Sequence, residues 1–125
     1  MTESRWVANY DDGVPASLEP YPDLTLIDYL REAATKWPDC PFLLYQGAKA
    51  DYATLDKESD ALAVALRSMG IRAGDRVAIC LPNCPQFLVA EFGAWKIGAI
   101  ACPFNPTYTE RETQDALQTT GAETV

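Results

Sequence analysis

The stretch from Asp75 to Tyr108, DRVAICLPNCPQFLVAEFGAWKIGAIACPFNPTY, limits most sharply what this chain can fold into. It is the one part apolar enough to be buried on several sides. Arg76 to Leu81 is a short apolar run bounded by turn residues, the pattern of a parallel strand covered on both faces. Pro82-Asn83 breaks the run, and Asn83 with Gln86 three residues on predicts a helix N-cap. The helix that follows carries Phe87, Leu88, Val89, Ala90, Phe92, Ala94, Trp95 and Ile97, so little of its circumference is polar. Gly98 is placed to end it by adopting positive φ. Ala99 to Cys102 is then a second strand, stopped by Pro103. A crossover of this length makes the two strands parallel and the connection right-handed.

The rest of the chain is expected to pack around this βαβ unit. Its 125 residues fit one domain, or one piece of a larger one. The net charge is −8, with Asp and Glu spread along the chain. That balance disfavours nucleic acid and anionic membrane surfaces, which require clustered Lys and Arg. It also argues against a polyphosphate pocket built by this chain alone. No His occurs, which rules out His-dependent triads, His metal sites and His proton shuttles within the chain. The cysteines are Cys40, Cys80, Cys84 and Cys102. The C-x-x-x-C spacing of Cys80 and Cys84 has no second pair to complete a zinc set, so reduced thiols are expected, with Cys80 and Cys102 buried in strands. The acidic start MTESRWVANYDD does not read as a signal peptide. No apolar run approaches the about 18 residues that span a bilayer, and a cytoplasmic location is expected.

Residues 1–24, with Pro15, Pro20 and Pro22, are expected to form an extended leader anchored by Trp6 and Tyr10. Residues 25–125 are expected to form a partial α/β subdomain. Thr25 and Asp28 make a capping box for a helix whose apolar face is Leu26, Ile27, Leu30, Ala33, Ala34 and Trp37. Phe42 to Gln46 and Ala50 to Tyr52 predict a hairpin turning at Gly47-Ala48-Lys49. Thr54 is expected to cap the next helix, which buries Leu55, Leu62, Ala63, Leu66 and Met69 and leaves Asp56, Lys57, Glu58 and Arg67 to solvent. Thr109 and Glu112 make a second capping box, and Gly121 ends that helix. Ala122 to Val125 reads as the start of a further strand, completed by sequence that the chain lacks. Alternating helices and strands from Thr54 onward predict an α/β fold with a parallel βαβ core, preceded by an N-terminal helix and a β-hairpin.

Chemistry is sparse. None of the glycines forms G-x-G-x-x-G. Gly93 and Gly98 have the Walker spacing, but Ala99-Ile100 stands where Lys and Ser or Thr are required, and the pair brackets a helix end. The carboxylates Asp11-Asp12, Asp56/Glu58/Asp60 and Glu110/Glu112 are explained by capping and solvation. Glu91 stands on an otherwise apolar helix, with Lys96 five residues on and so poorly spaced to pair with it. Ser59 and Ser68 have no base nearby in sequence. The loop Phe104 to Tyr108 follows the carboxyl end of a parallel strand, where open α/β sheets place their crevices. Its prolines and Asn105 fit ordinary turn chemistry equally well.

The segments GDRVAICLPNCPQF, WKIGAIACPFNPTYTERE and TGAE together resemble the N-terminal portion of adenylate-forming acyl-CoA synthetases, most of all fatty-acid–CoA ligases. Gly13-Val14-Pro15, Thr25 to Leu30, Asp51 to Leu55 and Ser59 to Ala63 agree, so the resemblance covers nearly the whole chain. It implies ATP, Mg2+ and coenzyme A as participants in the intact enzyme, a carboxylic, fatty acid as substrate, and the rest of the ligase as partner. The family's phosphate loop, its nucleotide contacts and its catalytic Lys have no matching position here. No catalytic residue therefore carries over, and this chain alone is expected to bind none of these cofactors. Asn105, Pro106 and Thr107 correspond to a loop near the coenzyme A entrance. A stand-alone α/β interaction module, and an adenylating domain that loads a carrier protein or runs a luciferase-like oxidation, are the alternatives.

Overall fold

The computed structural model describes residues 5–125, and the first four residues of the expected leader lie outside it. After a single 3-10 turn at Val7–Asn9 come helix α1 (Leu26–Lys36), strands β1 (Pro41–Tyr45) and β2 (Ala48–Asp51), and helix α2 (Tyr52–Ser68). Strand β3 (Arg76–Ile79), helix α3 (Pro85–Lys96), strand β4 (Ile100–Pro103) and helix α4 (Glu110–Thr120) complete the order. β3 and β4 pair in parallel, Arg76 opposite Ile100 and Ile79 opposite Pro103. The expected βαβ unit is present. Beyond α4, Thr124 makes an isolated parallel bridge to Val77 on the other side of β3.

Both capping boxes form as read from sequence, Thr25 with Asp28 and Thr109 with Glu112. Other boundaries differ. The α2 cap is Asp51 rather than Thr54: the Asp51 carboxylate accepts from the Thr54 amide at 2.7 Å. Hydrogen bonds from Thr54 hold the Asp51 carboxyl below its ordinary range. The last residue of β2 thus doubles as the helix cap. The hairpin turns on Gln46-Gly47, both at positive φ, and Ala48 and Lys49 already belong to β2. Two consecutive left-handed residues match the twist of the flanking strands. α3 starts after Cys84, with Pro85 in its first turn, so Asn83 is not the cap. Gly98 does take φ of 78° just past that helix.

α3 is shared by both parts of the core. One cluster joins Ala63 and Leu66 of α2 to Val77, Ala94, Ile97 and Ala99; the other joins Leu30 of α1 and Leu55 of α2 to Phe92. The Phe92 and Trp95 rings meet edge to face, 5.2 Å between centroids. Gly93 lets α2 come close, since a Cβ there would stand 2.9 Å from the Leu62 side chain. Met69, expected in the buried stripe, is exposed, and Ser59 is buried instead. The Ser59 hydroxyl donates to the Leu55 carbonyl at 2.6 Å, which satisfies it inside its own helix. Trp6 and Tyr10 cover no apolar edge and stand exposed.

Lys96 is the long-range element that sequence spacing missed. Its side chain is 2% exposed and its ammonium donates to Asp56 Oδ1 at 2.6 Å and Asp60 Oδ1 at 2.7 Å. A third bond, to the Asp56 carbonyl, is 2.8 Å long. Asp56 and Asp60 are therefore not merely solvating groups; they tie the C-terminal end of α3 to α2. Lys96→Met keeps most of the apolar stem and removes three charge-assisted donors, and is expected to cost about 1.5–3 kcal/mol in urea unfolding. Phe92→Ala is expected to cost ~3–5 kcal/mol through lost burial and a cavity. Unchanged melting of that variant would contradict the central place of α3.

Candidate functional site

Because β3 and β4 run parallel and end in register, the loops that follow them emerge side by side. The Phe104 amide donates to the Ile79 carbonyl at 3.1 Å and carries the ladder one step past β4. Between the loops lies a concavity of about 540 Å3, walled by Leu81, Pro82 and Asn83 on one side and residues 103–108 on the other, with Phe87 of α3 among its lining residues. The second wall is the loop that the sequence singled out. The first wall was missed, although the same rule about carboxyl ends of parallel strands points to it.

Asn105, Pro106 and Thr107 are all exposed on this loop. Asn105 Oδ1 accepts from both the amide and the hydroxyl of Thr107, each at 3.0 Å. The Tyr108 amide donates to the Asn105 carbonyl at 3.1 Å, so the segment is a closed turn stabilised by its own side chain. Phe104 and Tyr108 stack with ring centroids 6.3 Å apart and form the apolar floor of that turn. Directly beyond it, the Thr109 amide and hydroxyl hydrogen-bond the Glu112 carboxylate and hold it below its ordinary pKa. The turn is thereby fixed at both ends, by the sheet and by the α4 cap.

The lining carries amides, a hydroxyl, a phenol and apolar surface, but no Lys, Arg or carboxylate. It can hydrogen-bond and pack against a ligand; it has no cation or carboxylate, and no base beside its hydroxyl groups to activate them. A triphosphate finds no neutralising side chain here, and Lys96 is committed to Asp56 and Asp60. Among the described residues, no group of three or more His, Cys, Asp or Glu could hold a metal ion. The lining of this concavity therefore offers nothing that fits a triphosphate or Mg2+. The four cysteines are free, Cys40 exposed and the others half-buried. Burial of Cys80 and Cys102 was expected and is only partial, because β3 ends at Ile79 and β4 is flanked by a strand on one side only. No described helix is long and apolar enough to cross a membrane.

Comparison with known proteins gives the class. Residues 30–125 match the AMP-binding enzyme family, and the chain belongs to it. More particularly, it is 34% identical over 118 residues to the long-chain-fatty-acid–CoA ligase of Bacillus subtilis, a match covering 94% of this chain and 21% of that protein. It is 36% identical to the Salmonella typhimurium enzyme of the same name, over 94% of this chain and 21% of that one. The chain thus spans about a fifth of the length of these relatives. Its fold matches the N-terminal subdomain of Klebsiella oxytoca NpsA, solved in complex with 3-hydroxyanthranilyl-AMSN, with a TM-score of 0.74 and 30% identity over 78% of this chain and 25% of that one. A Rhodopseudomonas palustris structure named as a long-chain-fatty-acid CoA ligase matches with a TM-score of 0.74 and 29% identity, over 80% of this chain and 25% of the other. The resemblance to adenylate-forming ligases holds.

Among the described residues, Glu91 is the one carboxyl whose pKa is pushed up, by its partial burial on α3. A folded-state pKa above the unfolded one means that ionised Glu91 opposes folding, and that stability is lost as pH rises through its range. Glu91→Gln is therefore expected to melt higher than the native chain at pH 7, with the difference vanishing below the carboxylate range. Thermal scans from pH 3 to pH 8 check this.

Proposed function

We propose that this chain is the N-terminal scaffold of an ATP-dependent fatty-acid–CoA ligase. The observation that carries the reading is the match to long-chain-fatty-acid–CoA ligases along 94% of the chain. In such an enzyme the acid's carboxylate attacks the α-phosphorus of Mg-ATP and pyrophosphate leaves. The coenzyme A thiol then attacks the acyl carbon, AMP leaves, and the thioester forms. The residues of this chain supply none of the charge handling in either step. Their part is to hold α3 and the two loops at the ends of β3 and β4 rigidly enough to form one wall of a larger cleft.

Asn105, Pro106 and Thr107 are assigned to the coenzyme A side of that wall. Their surface is neutral and rich in hydrogen-bonding groups, which suits the amides of the pantetheine arm and not its phosphates. Four free cysteines agree with a reducing, cytoplasmic setting. Similarity to NpsA, also solved as part of an artificially fused adenylation–carrier di-domain, favours a second reading in which a carrier-protein thiol accepts the acyl group.

The protein of residues 1–125, given ATP, Mg2+ and a panel of carboxylic acids, is expected to release no pyrophosphate. The coding sequence after Val125 is expected to contain a Ser/Thr/Gly-rich loop followed by Pro-Lys. A polypeptide that includes that sequence is expected to convert fatty acid, ATP and coenzyme A to acyl-CoA, AMP and pyrophosphate. Pyrophosphate release by residues 1–125, or a downstream sequence without that loop, overturns the reading. Acyl transfer to a carrier protein and not to coenzyme A selects the second one.

A further inference from the structure

A second concavity, sharing no residue with the one at the strand ends, lies among α1, the β1–β2 hairpin and α3. Its volume is about 440 Å3, the size of a small-molecule site. Five rings line it: Tyr29 of α1, Trp37 at the α1 cap, Phe42 of β1, Tyr52 at the start of α2 and Phe92 of α3. Phe42 and Tyr52 pack at 5.1 Å, and Phe92 is buried. Tyr29 and Trp37 stay 44% and 59% exposed, although the helical pattern of α1 assigned Trp37 to its apolar face. Among the described residues, Glu32 is the one charged member of the lining. One turn on, Lys36 donates to the Glu32 carboxylate and holds its ammonium 5.9 Å from the centre of the Trp37 ring. The rim is thus a carboxylate beside an aromatic face, and a cation of the chain's own already rests against both.

We infer that this groove is a binding site for a small organic ammonium ion with an apolar body, an alkylamine or arylalkylamine that is protonated at neutral pH. The body packs among the rings, and the ammonium takes the position held by Lys36, against Glu32 and the Trp37 face. Lys36 is then a tethered competitor. An exposed bridge of this spacing is weak and exchanges readily, so a free cation that also buries apolar surface displaces it. A carboxylate of the same shape meets Glu32 and is repelled, and a neutral molecule leaves both rim groups unused. The net charge of −8 further favours cations near the surface. Nothing in this inference rests on the ligase reading, and its test uses neither ATP nor coenzyme A.

The test titrates the full chain with 4-phenylbutylamine, 4-phenylbutanol and 4-phenylbutyrate, following the Trp37 indole N–H by NMR with the exposed Trp6 as internal control. The amine is expected to bind about tenfold more tightly than the alcohol, and the carboxylate more weakly than either. Glu32→Gln is expected to weaken the amine about threefold and to leave the alcohol unchanged. Lys36→Gln is expected to tighten the amine about twofold, because the competitor is gone. The Glu32 and Lys36 side chains are 43% and 56% exposed, so both variants leave the core untouched. Equal binding of amine and alcohol overturns the inference, as does preference for the carboxylate, which gives the groove to an acyl chain. No Trp37 response at millimolar amine, or a Lys36→Gln variant that binds the amine no better, also overturns it. A Trp37 signal that moves with protein concentration alone assigns the groove to a second copy and is equally fatal.

Discussion

The close approach of α2 and α3 is the constraint on which the remaining packing depends. Gly93 removes the side chain that would meet Leu62, and Lys96 reaches across the same interface to two carboxylates of α2. The first is a matter of volume and the second of charge, and they act a turn apart on one helix. Dispersion falls steeply with separation, so a few tenths of an ångström at Gly93 decide how well Leu66, Ala94 and Ile97 fill the space between helix and sheet. The same helix presents Phe92 to Leu30 and Leu55, so α1 meets α2 and the βαβ unit in one cluster.

That arrangement explains why the concavity at the strand ends is shaped but chemically quiet. Its walls are positioned by ladder bonds at Ile79 and Phe104 and by the α4 cap, all of them main-chain or local. Charged side chains are spent elsewhere, on helix caps and on the α2–α3 clamp. Its lining can hydrogen-bond and pack against a ligand, and it carries no Lys, Arg or carboxylate. This agrees with a chain that belongs to the AMP-binding enzymes while spanning about a fifth of its relatives' length.

Legibility in the sequence followed range. The boxes Thr25/Asp28 and Thr109/Glu112 were readable because donor and acceptor are three residues apart and need no tertiary partner. Asp51 was missed as a cap because the residue also ends β2, and a strand-forming pattern hides a capping role. The hairpin turn slipped because Gln46, a non-glycine, takes positive φ, which composition does not announce. Loop 104–108 was found from its position after a strand, whereas its partner loop was overlooked and its own turn bonds, Thr107 to Asn105, were only implicit.

By itself the amino-acid order determined where the elements lie, that β3 and β4 run parallel, and which family the chain resembles, because each of these rests on nearby periodicity, caps and motif. Only the tertiary structure decided that Lys96 belongs to Asp56 and Asp60, and that Thr124 sits against Val77. Those pairs are separated by whole helices and strands, and no local preference selects one distant partner over another. They are chosen when burial of the α3 face brings the two ends together and the stranded polar groups must find each other.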